Sequence, residues 1–411
     1  MLDLHSKYGD LASFWFGSTQ IISVASPDLF AKVQGLFNRP LILFKLFEPF
    51  IGPKSVQFAN LNDGKDRRRD YDRSMSHTAI CRYIEEFQQA AEETIESFGD
   101  KVGAVSHNFS TEMVSLALKV SLRTLFGNSC TSIEIREFYD NYHICWEEME
   151  YRMSGELPDP SNVRQKNFDV ALEGAKSFVK KVVKIREDME INEDNERLID
   201  ILIRTCDDEE TLLSDSITYV TGGFHNTASA LVWAFYYIAK DKAVQQKIHT
   251  EIDQYILTDK VDINSINKCT YLRQVFNETL RCSVLAPFAA RFSDEDIEMR
   301  GFVVPAGTPI LLALGVPMQD PVLYKDPEKF DPERFNPENS KDRPTLAHIP
   351  FGTGKRICPG HRFANIEAMV CLIKILRKYE ISLVGCEDVA KVYGILTHPS
   401  EDIMISLAQR G

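Results

Sequence analysis

The chain has 411 residues, 44% hydrophobic and 26% charged, with a formal net charge of -13. That composition suits a globular protein, and the acidic balance argues against a general nucleic-acid binder. Nine cysteines, an odd number, are scattered without the close pairs of a zinc site, so free thiols in a reducing compartment fit best.

Length alone suggests two domains, yet no Ser/Gly/Pro-rich linker interrupts the sequence. No apolar run approaches the roughly 18 residues of a spanning helix, and Met1-Leu2-Asp3-Leu4-His5 lacks a signal-peptide pattern.

Leu11 to Phe16 and Gln20 to Val24 are short β-rich runs on either side of Gly17-Ser18-Thr19, which predicts a hairpin. Ser26-Pro27-Asp28 predicts the cap of a helix running through Val33. Asn62 to Arg73 is a charge-dense helix start carrying Lys65, Arg67, Arg68, Arg69 and Arg73. It reads either as a solvated face or as a docking surface for an acidic partner. From about Ala79 to Phe178, apolar residues recur at three and four, the spacing of amphipathic helices. Glu209 to Asp215 leads into a further helical run.

That run, Ile217 to Phe235, is apolar nearly all round and predicts a buried helix. Inside it stand Gly222, Gly223, His225, Asn226 and Thr227, which are costly there unless something uses them. Asn226 can hydrogen-bond an oxygen ligand or water, and His225 can pass a proton near neutral pH. The plainer reading makes both ordinary buried polar groups bonded to backbone. Further on, Glu278 and Arg281 share a helix face. Val284 to Ala290 reads as an apolar extended stretch followed by Arg291, and Glu298 to Leu312 as a hairpin punctuated by Gly301, Pro305 and Gly307. Asp331-Pro332-Glu333-Arg334-Phe335 follows.

Last comes Phe351-Gly352-Thr353-Gly354-Lys355-Arg356-Ile357-Cys358-Pro359-Gly360. Its glycines free the backbone to turn tightly against a flat ligand. Pro359 suits the first position of a helix, whose apolar face continues through Phe363, Ile366, Met369, Val370 and Ile373. A sulfur so placed is favoured as thiolate, with Lys355 and Arg356 beside it. From the residues alone, a nucleophile and a metal ligand both remain open.

These segments resemble the cytochrome P-450 superfamily. Phe351 to Gly360 fills every fixed position of its cysteine loop, and a distal-helix stretch, Glu-x-x-Arg and Pro-Glu-Arg-Phe precede it in family order. The opening Lys7-Tyr8-Gly9-Asp10, Phe14-Trp15-Phe16-Gly17 and Ala313-Leu314-Gly315-Val316 are similar to an animal branch called family twenty. The resemblance implies a mainly α fold with small β-sheets, residues 1–411 forming one large domain. It implies haem b (iron protoporphyrin IX) with Cys358 as axial ligand. Phe351, Gly354 and Gly360 would shape the loop, and Arg356, Arg291 and Arg68 would meet the propionates. Gly64 stands where the family has the tryptophan partnered with the Arg68 position. Glu278, Arg281 and the Pro-Glu-Arg-Phe arginine would form a buried structural lock. On the distal helix His225 takes the family's acidic position, Asn226 its threonine position and Thr227 the residue after, so proton delivery would fall to them.

The implied reaction is haem-thiolate monooxygenation of a small apolar substrate, with NADPH-derived electrons from a reductase. The altered distal helix keeps two alternatives open: use of peroxide or rearrangement of an oxygenated substrate, and a haem-binding protein without turnover. A cysteine hydrolase is disfavoured, since no adjacent histidine can be assigned to activate Cys358. Family members of eukaryotes usually begin with a membrane anchor and a proline-rich hinge. Lys7 to Asp10 resembles the point just after that hinge, so the anchor is expected to be absent from this chain, with the cytosolic face of the endoplasmic reticulum membrane as the implied location.

Overall fold

The computed structural model describes residues 1–99, 102–103, 105–127, 130–159, 161–385 and 388–410. The opening hairpin forms as the sequence indicates. β1 (Leu11–Phe16) and β2 (Thr19–Val24) pair antiparallel from Leu11↔Val24 to Phe16↔Thr19. The two-residue turn needs a positive φ, which Gly17 supplies at +60°. A helix follows over Pro27–Val33, but Ser26 makes no side-chain bond to its first turn. Pro27 at the first position already fixes the entry angle.

Contacts gather the chain into two compact units: Met1–Pro40, Ala91–Met113 and Ser229–Gly411 in the first, Leu41–Ala90 and Val114–Ala228 in the second. The first holds the sheets. β3 (Ser106–Asn108) is followed by β4 (Ala289–Arg291), β5 (Ile297–Met299), β6 (Phe302–Val304) and β7 (Ile310–Leu312). β1, β2, β7 and β4 form one sheet in that order, with β2 and β7 parallel. β5 and β6 make a hairpin through Arg300 and Gly301 that ends at Val304, shorter than the expected Glu298 to Leu312, because β7 pairs instead with β2 and β4. β8 (Tyr379–Leu383), β9 (Lys391–Tyr393), β10 (Thr397–Pro399) and β11 (Met404–Gln409) complete two smaller sheets, β3-β11-β8 and β10-β9. Val24, Leu29, Phe30, Val33, Ile310 and Leu312 pack into the core beneath the main sheet.

The second unit is helical among its described residues. α1 (Leu61–Tyr71) covers the charge-dense stretch. α2 (Ser132–Met153) begins with a capping box between Thr131 and Glu134, and α3 (Val163–Glu187) packs along it. α4 (Glu209–Lys240) contributes its first part to this unit, and from Ala228 to Phe235 every residue is buried. α5 (Thr270–Ser283) and α6 (His361–Lys378) belong to the first unit.

Two local expectations give way. Val284 is not extended but left-handed at φ 48°, closing α5, and strand begins only at Ala289. Pro359 lies in the turn rather than in the helix, which starts at His361 with Gly360 as its cap residue. His361 N–H already bonds back to the Cys358 carbonyl at 3.3 Å, so the turn absorbs the two residues the sequence assigned to helix.

Candidate functional site

The cysteine loop is built from its own backbone. Cys358 N–H donates to the Phe351 carbonyl at 3.0 Å, Ile357 N–H to Gly354 at 3.0 Å and Gly352 N–H to Ile349 at 2.9 Å. His361 Nδ1 lies 2.9 Å from the Cys358 carbonyl. These bonds fold the loop on itself and leave Cys358 partly exposed just ahead of α6. The loop's glycine stays bare where the sulfur is: a Cβ added at Gly360 would meet Cys358 Sγ first, at 4.0 Å.

A segment the motif reading missed straps this loop down. Gln34 presents its backbone carbonyl to Lys355 N–H at 3.0 Å and its side-chain Oε1 to the Thr353 hydroxyl at 3.2 Å. Gly354 sits at φ +68°, and any Cβ there would overlap the Gln34 carbonyl. Three residues on, the Phe37 carbonyl accepts from Arg356 Nε at 2.9 Å while the Arg356 guanidinium lies over the Phe37 ring at 3.8 Å. Next to it, the Asn38 carbonyl accepts from Phe292 N–H at 3.0 Å, tying the end of β4 to the same segment. Arg356 is 3% exposed and Arg291 1% exposed. Buried cations are rare without anionic or hydrogen-bonding partners. A partly exposed sulfur, a bare glycine surface beside it and two sheltered guanidiniums form a donor set that fits a flat, anionic, metal-bearing ring, as the resemblance implies for haem.

Behind the loop lies the lock. Glu278 and Arg281, both 0% exposed, fork together at 2.7 and 2.9 Å. Arg334 Nε comes within 3.3 Å of Glu278, whose carboxylate also accepts from Asp331 N–H at 2.9 Å. Arg281 spends its remaining donors on the Met318 and Pro327 carbonyls, each at 2.8 Å. The Glu278–Arg281 fork is bidentate, the kind that tolerates burial. Burial pushes the Cys282 thiol beside Glu278 up to about 12, so it stays protonated. His348, partly buried and edge-on to Phe335 at 4.7 Å, bonds the Asn277 carbonyl at 3.2 Å, and burial pulls its pKa down to about 3.

On α4 the three polar residues diverge, as helical neighbours must. His225 is drawn into rings of the second unit, with Tyr142 Oη 2.8 Å from its Nδ1. Asn226 Nδ2 donates to the Gly222 carbonyl at 3.3 Å, on the exposed side of the helix, where a Cβ at Gly222 would meet nothing within 4 Å. Thr227, 3% exposed, returns its hydroxyl to Gly223 at 3.1 Å. Gly223 packs so close that a Cβ would lie 2.6 Å from Ser121 Oγ.

On α1 the basic cluster is largely spent within the unit. Arg67 reaches the wholly buried Asp215 at 2.5 Å, Arg68 pairs with Asp72 at 3.1 Å and Arg69 with Asp66 at 2.9 Å. Lys65 and Arg73 stay exposed.

A family model described as Cytochrome P450 matches residues 1–405. Cytochrome P450 20A1 of Bos taurus is 26% identical over 411 residues, covering 100% of this chain and 87% of its own length. The Homo sapiens protein of that name is 24% identical at the same coverage. Cytochrome P450 6B1 of Papilio polyxenes is 36% identical over 167 residues, 40% of this chain and 34% of its own. A crystal structure of a mutant cytochrome P450 heme domain superposes with a TM-score of 0.85, covering 99% of this chain and 91% of that one at 17% identity, a likeness of fold.

Proposed function

Since the chain belongs to the cytochrome P450 family, and so to its monooxygenases, with whole-length similarity to the family-twenty proteins, we propose that it inserts one atom of dioxygen into a small apolar organic substrate, with electrons from NADPH delivered by a reductase. The observation that carries this is the strapped cysteine loop with its buried Arg356.

Cys358 would hold the haem iron through its sulfur, with Phe351, Gly354 and Gly360 shaping the loop around it. Bound there, haem b supplies oxygen activation, favoured by a thiolate that pushes electron density to the iron. Arg356 and Arg291 would neutralise the propionates from the protein side. Arg68, forked onto Asp72, would have to leave that carboxylate to serve as a third. Asn226 and His225 would hold and pass protons on the distal side; Thr227, committed to the Gly223 carbonyl, would have the smaller part. The reductase would dock on the face around the cysteine loop, where Lys355 and Arg362 are exposed.

Among the described residues no helix is long and apolar enough to cross a membrane. The proposed place of action is the cytosolic face of the endoplasmic reticulum membrane, beside the reductase, and fractionation of the expressed protein tests it.

The deciding experiment is the reduced carbon-monoxide difference spectrum of the haem-loaded protein. A long-wavelength Soret band of thiolate ligation is expected, lost in Cys358→Ser. The same band in Cys358→Ser would overturn the ligand assignment. The distal residues favour one second reading, a haem-thiolate enzyme that uses peroxide or rearranges an oxygenated substrate. Peroxide-supported turnover without reductase, exceeding reductase-driven turnover, would select it.

A further inference from the structure

Away from the cysteine loop, one cysteine stands against a histidine at the surface. His77 opens the helix His77–Phe98, and Cys81 follows one turn later on the same face. Both side chains are exposed, and Cys81 Sγ lies 3.7 Å from His77 Nε2. Counting cysteines along the sequence misses the pair, because its second member is a histidine. The separation is the one a metal ion requires. Zinc bonds of about 2.3 Å to sulfur and about 2.0–2.1 Å to imidazole nitrogen, opened to the tetrahedral angle, hold the two donor atoms about 3.6 Å apart. Two donors four residues apart on one helix face also grip zinc in metalloproteases. Thiolate and imidazole together select zinc over magnesium or calcium, which prefer oxygen.

We propose that His77 and Cys81 form a surface zinc site, with Nε2 and Sγ as the protein ligands. Binding exchanges one proton for the ion: the Cys81 thiol gives its hydrogen to solvent, the thiolate and the Nε2 lone pair bond the zinc, and no electron changes hands. The neutral imidazole keeps its hydrogen on Nδ1. The positive end of the helix opposes a bare dication in its first turns, and the thiolate offsets half of that charge. Among the described residues no third histidine, cysteine, aspartate or glutamate completes a cage. Two of the four tetrahedral positions are therefore left to water, and the site exchanges its ion where a closed, four-ligand site would retain it.

The test uses the full haem-loaded chain and follows iodoacetamide labelling peptide by peptide, so that the other thiols serve as controls. Zinc should slow labelling of Cys81 several-fold, a chelator should restore the rate, and magnesium should have no effect. His77→Ala keeps the thiol and should lose most of that protection. Cobalt(II), standing in for zinc, should develop a sulfur-to-metal charge-transfer band in the wild type that is absent in Cys81→Ser, with the carbon-monoxide band of both variants unchanged. Undiminished labelling of Cys81 in the presence of zinc overturns the proposal without any variant and leaves a thiol–imidazole hydrogen bond. Equal protection in His77→Ala overturns it as well, since the thiol would then hold zinc without the histidine.

Discussion

Gly354 shows how little room the cysteine loop has. Its left-handed φ of +68° already disfavours a side chain, and the Gln34 carbonyl occupies the Cβ position. Gly354→Ala should therefore cost at least about 1–3 kcal/mol from backbone strain alone, read as weaker haem retention on a desalting column. Phe37→Leu keeps the carbonyl that Arg356 uses but removes the ring beneath its guanidinium. A buried cation–π contact contributes about 2 kcal/mol, so haem transfer to an acceptor protein should quicken several-fold. Arg281→Ala would leave Glu278 with Arg334 as its remaining cationic partner in the lock; breaking a buried pair costs about 3–5 kcal/mol, seen as a lower denaturant midpoint. His348 carries a pH dependence. Burial lowers its pKa from 6.5 to about 3, so between those values the unfolded chain binds the proton more readily. Stability is full above pH 6.5 and falls as pH drops towards 3. His348→Gln should flatten that part of the acid unfolding curve.

At the scale of elements, sequence was most informative where chemistry demands particular side chains at short spacing. Cys358 with its glycines, Glu278 with Arg281, and the polar step on α4 stand out for that reason. The hairpin β1–β2 was legible because alternation and a glycine turn are local. Gln34 and Phe37 escaped because their main contribution is a backbone carbonyl, which every residue owns. Tyr142 escaped because 83 residues separate it from His225, with nothing in either helix's pattern to join them. On the basic stretch of α1, Arg67, Arg68 and Arg69 each find a carboxylate within the unit, which charge counting along the sequence does not reveal. Val284 reads as strand by composition, since β-branched residues favour extended backbone, yet it closes α5 in a left-handed conformation. The space it fills is set by Gly315, where a Cβ would collide with its side chain.

The whole chain carries -13, so its overall field repels an acidic redox partner. On the proposed reductase reading, docking would rely on local cations such as Lys355 and Arg362 beside the cysteine loop. Replacing both with glutamate should lower reductase-driven kcat/KM several-fold at low salt while leaving the carbon-monoxide spectrum intact, and the gap between variant and wild type should narrow as ionic strength rises. The strap between Gln34–Asn38 and the loop also sets a timetable. Arg356 follows Phe37 by 319 residues, which at ordinary translation speeds is roughly half a minute. During that interval the Gln34 and Phe37 carbonyls wait with no clamp to close. The proposed haem loop is thus held by a segment translated well before it. A ribosome stalled before Arg356 emerges should hold a polypeptide that cannot keep haem, whatever it has already folded.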